Sequence, residues 1–140
     1  MKTIVLALDG SEGSRRATPV ALSMAKLTGA RIVVAHVDER IAAKGDMPSI
    51  RADEDEIFKR IESEVEQLAA DGVDASAERK VVVLGGPAHA IAEIADEADA
   101  DLIVVGTRGH SQIAGLLLGS VTTRLLHIAK RPVLAVPPAE

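Results

Sequence analysis

Five short runs of apolar, β-prone residues alternate along the chain with segments whose apolar residues recur at helical spacing. Runs without polar alternation are typical of strands buried on both faces, as in a parallel sheet between two helical layers. Strands that alternate with helices imply right-handed crossovers and a doubly wound α/β fold. The predicted strands are Ile4–Leu8, Arg31–Val37, a segment within Ala75–Leu84, Leu102–Val105 and Arg131–Val136.

The first two predicted helices connect the first three strands. One ends at Gly29 and contains Pro19, either inside the helix or at its first position. The other is predicted over Arg51–Ala70, and a loop over Asp38–Ser49 precedes it. The inward faces are predicted from apolar spacing as Ala17, Val20, Met24 and Leu27 in the first helix and Ile57, Ile61, Val65 and Leu68 in the second.

The later helices have clear start signals. Gly85-Gly86-Pro87 turns the chain into a helix with Ile91, Ile94, Ala95 and Ala98 on one face, because proline suits the first helical turn. The last helix is predicted from Ser120 to about Ala129, with Ser120 as its N-cap. In the long second helix, the acidic run Asp53–Glu56 is expected in about the first turn, where the helix dipole favours negative charge.

Composition limits the class of protein. The length of 140 residues suits a single domain over 1–140, and the core must be aliphatic because Phe58 is the only aromatic residue. A net charge of −5 argues against nucleic-acid and membrane-surface partners, which need a broad basic field. The absence of cysteine and of a signal-peptide pattern favours a cytoplasmic location. His36 is expected near a strand end with local contacts, and no zinc-site spacing is present.

The strongest functional signal follows the fourth predicted strand. Gly106 and Gly109 are separated by two residues, and nine residues later come Gly119 and Ser120. A strand, a glycine loop and a helix N-terminus together predict a phosphate site, because unpaired main-chain N–H groups and the helix dipole favour an anion there. Ser120 and Thr122 would add hydroxyl donors.

This glycine spacing resembles the ATP-binding signature of the universal stress protein family. Four further landmarks of that family occur in the same order: a first strand ending at Asp9, a second ending at Val37, a Gly85-Gly86-Pro87 turn into a helix, and a terminal Arg131–Val136 strand. The resemblance covers most of the chain. It implies a three-layer α/β fold with an open parallel five-stranded sheet of order 3-2-1-4-5, of the adenine nucleotide alpha hydrolase-like (Rossmann-like) type.

The resemblance also implies a nucleotide site where the strand order reverses, between the first and fourth strands. Its implied parts are a base slot, a floor beneath the nucleoside, a phosphate loop and an offsetting cation. The base slot would be lined by Ala7, Leu8 and Val37, and the floor would consist of Val105 and Gly106. The phosphate loop would consist of Gly109, Gly119, Ser120, Val121 and Thr122. The offsetting cation would be Arg108. Asp9 would bind a ribose hydroxyl or hold Mg²⁺ or Mn²⁺ against the phosphates, or else it caps the first helix.

The implied function is that of an ATP-binding stress or signalling module that acts as a homodimer. The chain lacks a Walker A loop and a Gly-x-Ser-x-Gly elbow, so catalytic residues are not predicted and any ATP hydrolysis would be slow. Two alternatives remain: a nucleotide-independent dimeric scaffold and a small hydrolase or transferase on the same layout. The terminal Pro132–Val136 strand is short and apolar, and we expect it to form the dimer contact at a sheet edge.

Overall fold

The structure is a computed structural model, and it describes residues 1–10, 12–40, 47–83, 86–107 and 119–137. Strands and helices alternate in these segments as the sequence predicts. The strands are β1 (Thr3–Ala7), β2 (Arg31–Arg40), β3 (Ala75–Val83), β4 (Leu102–Gly106) and β5 (Val133–Val136). The helices are α1 (Glu12–Arg15), α2 (Ala17–Thr28), α3 (Met47–Ala70), α4 (Pro87–Glu97) and α5 (Ser120–Ile128).

The five strands form one parallel sheet in the order β3-β2-β1-β4-β5, which confirms the predicted topology. The first strand therefore lies at the centre, with β2 on one side and β4 on the other. The strand order reverses at the β1–β4 boundary, because β2 and β3 are added on one side of β1 and β4 and β5 on the other. Ligands of open α/β sheets bind beyond the carboxyl ends of the strands at such a boundary.

Alternate residues of the central strands supply two separate cores. Ile4, Leu6 and Val34 face α2 and α3, with Ile61 and Leu68 of α3 fully buried against them. The opposite face of the sheet packs against α4 and α5. Its core includes Val5, Val33, Ile91, Ile94 and Leu125. Aliphatic side chains fill both cores, as the composition requires.

The first helical segment differs from the prediction in two ways. It is two helices, interrupted at Arg16, so Pro19 is the third residue of α2 and not a kink inside one long helix. A proline in the first turn costs little, because the N–H groups there have no acceptor within the helix. The predicted inward face is also only partly right: Ala17 is buried and Met24 is half-buried against the core, but the other fully buried residues are Ala21 and Ala25, and Leu27 is 86% exposed.

Three predicted boundaries are wrong near the carboxyl edge of the sheet. β2 continues to Arg40 because it pairs with β3 as far as Val83, so 38–40 are strand. α3 begins at Met47, which places Asp53–Glu56 beyond its first turn; residues 41–46 lie outside the described part. The N-cap of α5 is Gly119, and Ser120 is the first residue of the helix. The N-terminus of α5 has no side-chain cap hydrogen bond.

Within the described residues, no helix is both long enough and apolar enough to cross a membrane.

Candidate functional site

A cleft of about 360 Å³ opens at the carboxyl ends of β1 and β4. Its walls come from both sides of the sheet, since α3 supplies residues on one side and α4 and α5 on the other. The lining consists of Ala7, Leu8, Asp9, Ser14, Ala35, His36, Val37, Glu54, Pro87, Ile91, Val105, Gly106, Gly119, Ser120, Val121 and Thr122.

The structure brings the sequence-predicted residues together around this cleft. All those within the described part of the chain line it: Ala7, Leu8, Asp9, Val37, Val105, Gly106, Gly119, Ser120, Val121 and Thr122. Arg108 and Gly109 lie outside the described residues, as does Gly85 of the predicted Gly85-Gly86-Pro87 turn. The residues that the sequence analysis did not select are Ser14, Ala35, His36, Glu54, Pro87 and Ile91.

The N-terminus of α5 forms one end of the cleft. The first intrahelical bond runs from the Thr123 N–H to the Gly119 carbonyl, and the Gly119 N–H donates to Thr107 outside the helix. The N–H groups of Ser120, Val121 and Thr122 therefore have no acceptor within α5, as is general for a first helical turn. Three such amides at the positive end of a helix dipole favour an anionic group.

The hydroxyl of Thr122 has a structural role that the sequence did not predict. It is buried and donates to the Gly106 carbonyl at 2.7 Å. This bond joins the end of β4 to the first turn of α5, across the glycine loop. Ser120, the residue before Val121 in this turn, is exposed and lines the cleft.

The loop after β1 brings a carboxylate to the cleft. The main-chain N–H of Asp9 donates to the Ser14 hydroxyl oxygen at 3.2 Å, which holds this loop against α1. Gly10 follows with φ of +85°, and a Cβ there would lie 2.8 Å from Cγ2 of Ile57. Glycine is therefore needed at position 10 both for the backbone conformation and for the close approach of α3.

His36 is the main site residue that the sequence analysis misjudged. Its contacts are not local: Nδ1 lies 2.9 Å from the Leu8 carbonyl oxygen, and Nε2 lies 3.1 Å from Oε2 of Glu54. The residue is 1% exposed, on the face of β2 that packs against α3. A polar residue in the middle of an apolar strand pattern was the available signal, but nothing local indicates its partner on α3.

A second polar contact joins α3 to the same edge of the sheet. Arg79 on β3 donates through Nη2 to Asp38 at 3.0 Å and to Asp55 at 3.3 Å. Its guanidinium also lies 4.8 Å from the ring centroid of Phe58. Asp55, a member of the acidic run on α3, thus helps to attach the helix to β2 and β3.

No cluster of three or more His, Cys, Asp or Glu side chains suitable for a metal occurs among the described residues. Asp9 is one of the two carboxylates that line the cleft, and it suits a cation whose other ligands are phosphate oxygens, as is usual for Mg²⁺.

Known proteins resemble this chain over nearly its full length. The model of the universal stress protein family matches residues 1–137. A universal stress protein from Thermus aquaticus is 37% identical over 139 residues, which cover 96% of this chain and 98% of that protein.

Two solved structures extend the comparison. One, a universal stress family protein from Burkholderia pseudomallei, is 31% identical with a TM-score of 0.79 and covers 99% of this chain and 96% of that one. The other is a universal stress protein in complex with cAMP. It is 33% identical with a TM-score of 0.68, covering 99% of this chain and 98% of that one.

Proposed function

The chain belongs to the universal stress protein family, and from that premise we propose that its cleft binds an adenine nucleotide, ATP in particular. The observation that carries the proposal is the convergence of two sequence-distant segments on one cleft. Residues 7–9 and 119–122 face each other there, at the strand-order reversal of the sheet.

The two ends of the cleft suit different parts of a nucleotide. The three amides of Ser120, Val121 and Thr122 would receive the phosphates, together with the Ser120 hydroxyl. Ala7, Val37 and Val105 offer small apolar surfaces for the base and the nucleoside. Arg108 and Gly109 complete the phosphate loop in this proposal, on the strength of the sequence signature alone.

Asp9 has two alternative roles in this proposal, one at the ribose and one at the phosphates. Its carboxylate would accept from a ribose hydroxyl or hold Mg²⁺ or Mn²⁺ against the phosphates. A cation would also reduce the repulsion between the phosphates and the carboxylates that line the cleft, Asp9 and Glu54.

The ligand class is supported by a relative. The structure with 33% identity to this chain was determined in complex with cAMP, an adenine nucleotide. ATP in place of cAMP rests on the glycine signature that ends at Gly119 and Ser120.

The proposed role is binding without rapid turnover. Phosphoryl transfer requires a positioned nucleophile and strong charge neutralisation, and the described lining of the cleft offers two carboxylates and one histidine engaged by Glu54. A nucleotide-responsive stress or signalling module fits these features better than an ATPase does. The cytoplasmic location remains a prediction.

Substitution of Gly119 tests the proposal. Gly119 has an extended backbone, with φ −71° and ψ 163°, which valine also adopts, and Gly119→Val places a branched side chain at the phosphate end. We expect protein purified from cells to release ATP on denaturation, and Gly119→Val to release none.

Thr123→Val is the matched control, because it places the same side chain on an exposed position of the same helix outside the cleft. It should release as much ATP as the wild type. Equal ATP from wild type and Gly119→Val, or none from the wild type even after incubation with excess ATP, would favour the nucleotide-independent scaffold.

The assembly that we propose is a homodimer through β5. This strand lies at one edge of the sheet, and its side chains remain half-buried in the single chain. An apolar edge strand favours pairing with a symmetry-related copy across a two-fold axis.

A further inference from the structure

The cleft opens at the point where β1 and β4 stop pairing. Their ladder ends at the pair Ala7 and Val105. The residues that follow line the cleft, with Leu8 and Asp9 on one side and Gly106 on the other. The partners of their main-chain groups therefore determine how far the two strand ends lie apart at the mouth of the cleft.

The next bond of this ladder would join Asp9 to Gly106. The N–H of Leu8 donates to Ala35 of β2, so Asp9 directs its N–H to the opposite side, toward β4. The N–H of Thr107 donates to β5, so the carbonyl of Gly106 faces β1. The Asp9 N–H and the Gly106 carbonyl are thus the donor and the acceptor that remain where the strands separate.

Each of these two groups is bonded to a hydroxyl instead. The Asp9 N–H donates to Oγ of Ser14 at 3.2 Å, and the Gly106 carbonyl accepts from the Thr122 hydroxyl at 2.7 Å. Both hydroxyl residues line the cleft, and both are buried, with 5% exposure for Ser14 and 3% for Thr122. Two side chains from different helices, α1 and α5, thus take the place of one ladder bond.

The hydroxyl of Thr122 cannot donate to a phosphate at the same time. A hydroxyl has one hydrogen, and here that hydrogen is donated to Gly106. Phosphate oxygens are acceptors, so the remaining lone pairs of the hydroxyl offer them no bond. The side chain of Thr122 therefore positions the first turn of α5, whereas the role predicted from the sequence, donation to phosphate, requires this bond to break.

A second bond attaches the same turn to the sheet. Gly119, the N-cap of α5, donates its N–H to the Thr107 carbonyl. The two bonds from the start of α5 therefore reach consecutive residues at the end of β4, Gly106 and Thr107. They fix the unpaired amides of this turn relative to the strand. A site arranged before the ligand arrives loses less free energy to ordering when the ligand binds.

We infer that Ser14 and Thr122 are positioning residues that hold the mouth of the proposed nucleotide site open. This inference rests on the proposed function. Each hydroxyl satisfies one group of the interrupted ladder, so the ends of β1 and β4 stay apart and neither hydroxyl needs to touch the ligand. Removal of one hydroxyl leaves a buried main-chain group unpaired. Removal of both lets the Asp9 N–H and the Gly106 carbonyl bond each other, which narrows the mouth.

The test is a double-mutant cycle of Ser14→Ala, Thr122→Val and the two together, measured by calorimetry with ATP and by urea unfolding. Valine is β-branched like threonine and lacks the hydroxyl, so Thr122→Val removes the bond with little change of shape. Thr122→Ser, which keeps a hydroxyl, is the rescue variant. Thr123→Val and Ser23→Ala are the matched controls, on exposed positions outside the cleft lining.

We expect each single substitution to weaken ATP binding about tenfold and to lower the urea midpoint, because a main-chain group loses its partner. The double variant should bind ATP more weakly than the about hundredfold loss that two independent tenfold effects give. Its urea midpoint should nevertheless be higher than the sum of the two single losses predicts, because the two unpaired groups now bond each other. Thr122→Ser should recover the affinity that Thr122→Val loses, and both controls should follow the wild type.

Amide hydrogen exchange without ligand separates positioning from direct contact. The Gly119 N–H should exchange faster in Thr122→Val than in the wild type, because the turn that carries it is held by one bond fewer. In the double variant, the Asp9 N–H should be protected by its new bond to Gly106. A hydroxyl that acted only on phosphate would leave the exchange of the ligand-free protein unchanged.

Three results would overturn the inference alone. The first is ATP affinity within about twofold of the wild type in both single variants. The second is a cycle in which the losses of stability and of affinity both add. The third is weaker ATP binding by Thr122→Val with unchanged exchange of Gly119, which would assign the hydroxyl to the ligand. Failure of the wild type to bind ATP would instead overturn the proposed function, and the role of the hydroxyl pair in binding with it.

Discussion

Asp38 and Arg79 show how one residue can depend on another that is distant in sequence. Asp38 is fully buried, although its strand has already passed the end of β1. Arg79 lies on the neighbouring strand and is 24% exposed, with Nη2 between Asp38 and Asp55. A buried carboxylate is costly without a compensating partner, so Arg79 holds this edge of the sheet and the adjoining helix together.

Replacement of Arg79 by methionine should destabilise the protein by about 2 kcal/mol, because the buried carboxylate of Asp38 loses a hydrogen-bond donor. The contact with the Phe58 ring is lost as well. Urea unfolding measures the difference. Lys80→Met is the control, since Lys80 pairs only with the exposed Glu93 and Glu97 among the described residues, and it should unfold nearly as the wild type does. Equal losses in both variants would contradict this account of Arg79.

At the scale of elements, β5 combines a covered side and an open side. The carbonyls of Pro132 and Val136 accept from Ile103 and Thr107, so these residues direct their main-chain groups toward β4. Successive residues of a strand direct their main-chain N–H and carbonyl groups to opposite sides. Val133 and Ala135 therefore direct these groups to the open edge. This edge is where the proposed dimer would form.

Proline at position 135 should disrupt the dimer and leave the fold in place. It removes an N–H from the open edge without removing one that faces β4, a position that tolerates proline in edge strands. Sedimentation or size-exclusion measurements should show a monomer for Ala135→Pro and a dimer for wild type and for Ala135→Val, which keeps the N–H. A dimer that persists in Ala135→Pro would place the contact elsewhere, and a monomeric wild type would exclude this dimer altogether.

For the whole molecule, the amino-terminal strand is tied to the turn before β4. One carboxylate oxygen of Asp101 accepts from the N–H of Lys2 at 2.6 Å and from that of Thr3 at 3.0 Å. The pKa of Asp101 lies below its ordinary value of 3.8, because these main-chain donors stabilise the charged carboxylate. The N–H of Lys2 has the larger effect and that of Thr3 the smaller. Because β1 is the centre of the sheet, its start is fixed relative to both halves of the domain.

The sign of this shift sets a dependence of stability on pH. A pKa lowered by folding gives stability that is fully present above the unfolded-state pKa of about 3.9 and is lost as pH falls through the folded-state value. Asp101→Asn should therefore be less stable than wild type at neutral pH, and the difference should shrink on acidification. Urea unfolding across this range checks it, with the exposed Asp74→Asn as the control. A difference that is constant with pH would contradict the role of the charge.

The sequence by itself determined the layers, the parallel sheet and the glycine-bounded end of the cleft. Those features depend on patterns within one segment: apolar runs such as Leu102–Val105 bury both faces, and Gly119 followed by a helical pattern leaves amides unpaired. The strand order came from the family resemblance, and the sheet then confirmed it.

Only the tertiary structure decided which side chains meet across elements. The His36–Glu54 contact, the Thr122 bond to Gly106 and the Arg79 contacts each join segments far apart in sequence. Spacing along one strand or helix cannot specify such a partner, because it depends on how closely and in what register two elements pack. The inward face of α2 was mispredicted for the same reason. Its fully buried residues are Ala17, Ala21 and Ala25, whereas Leu27 is exposed.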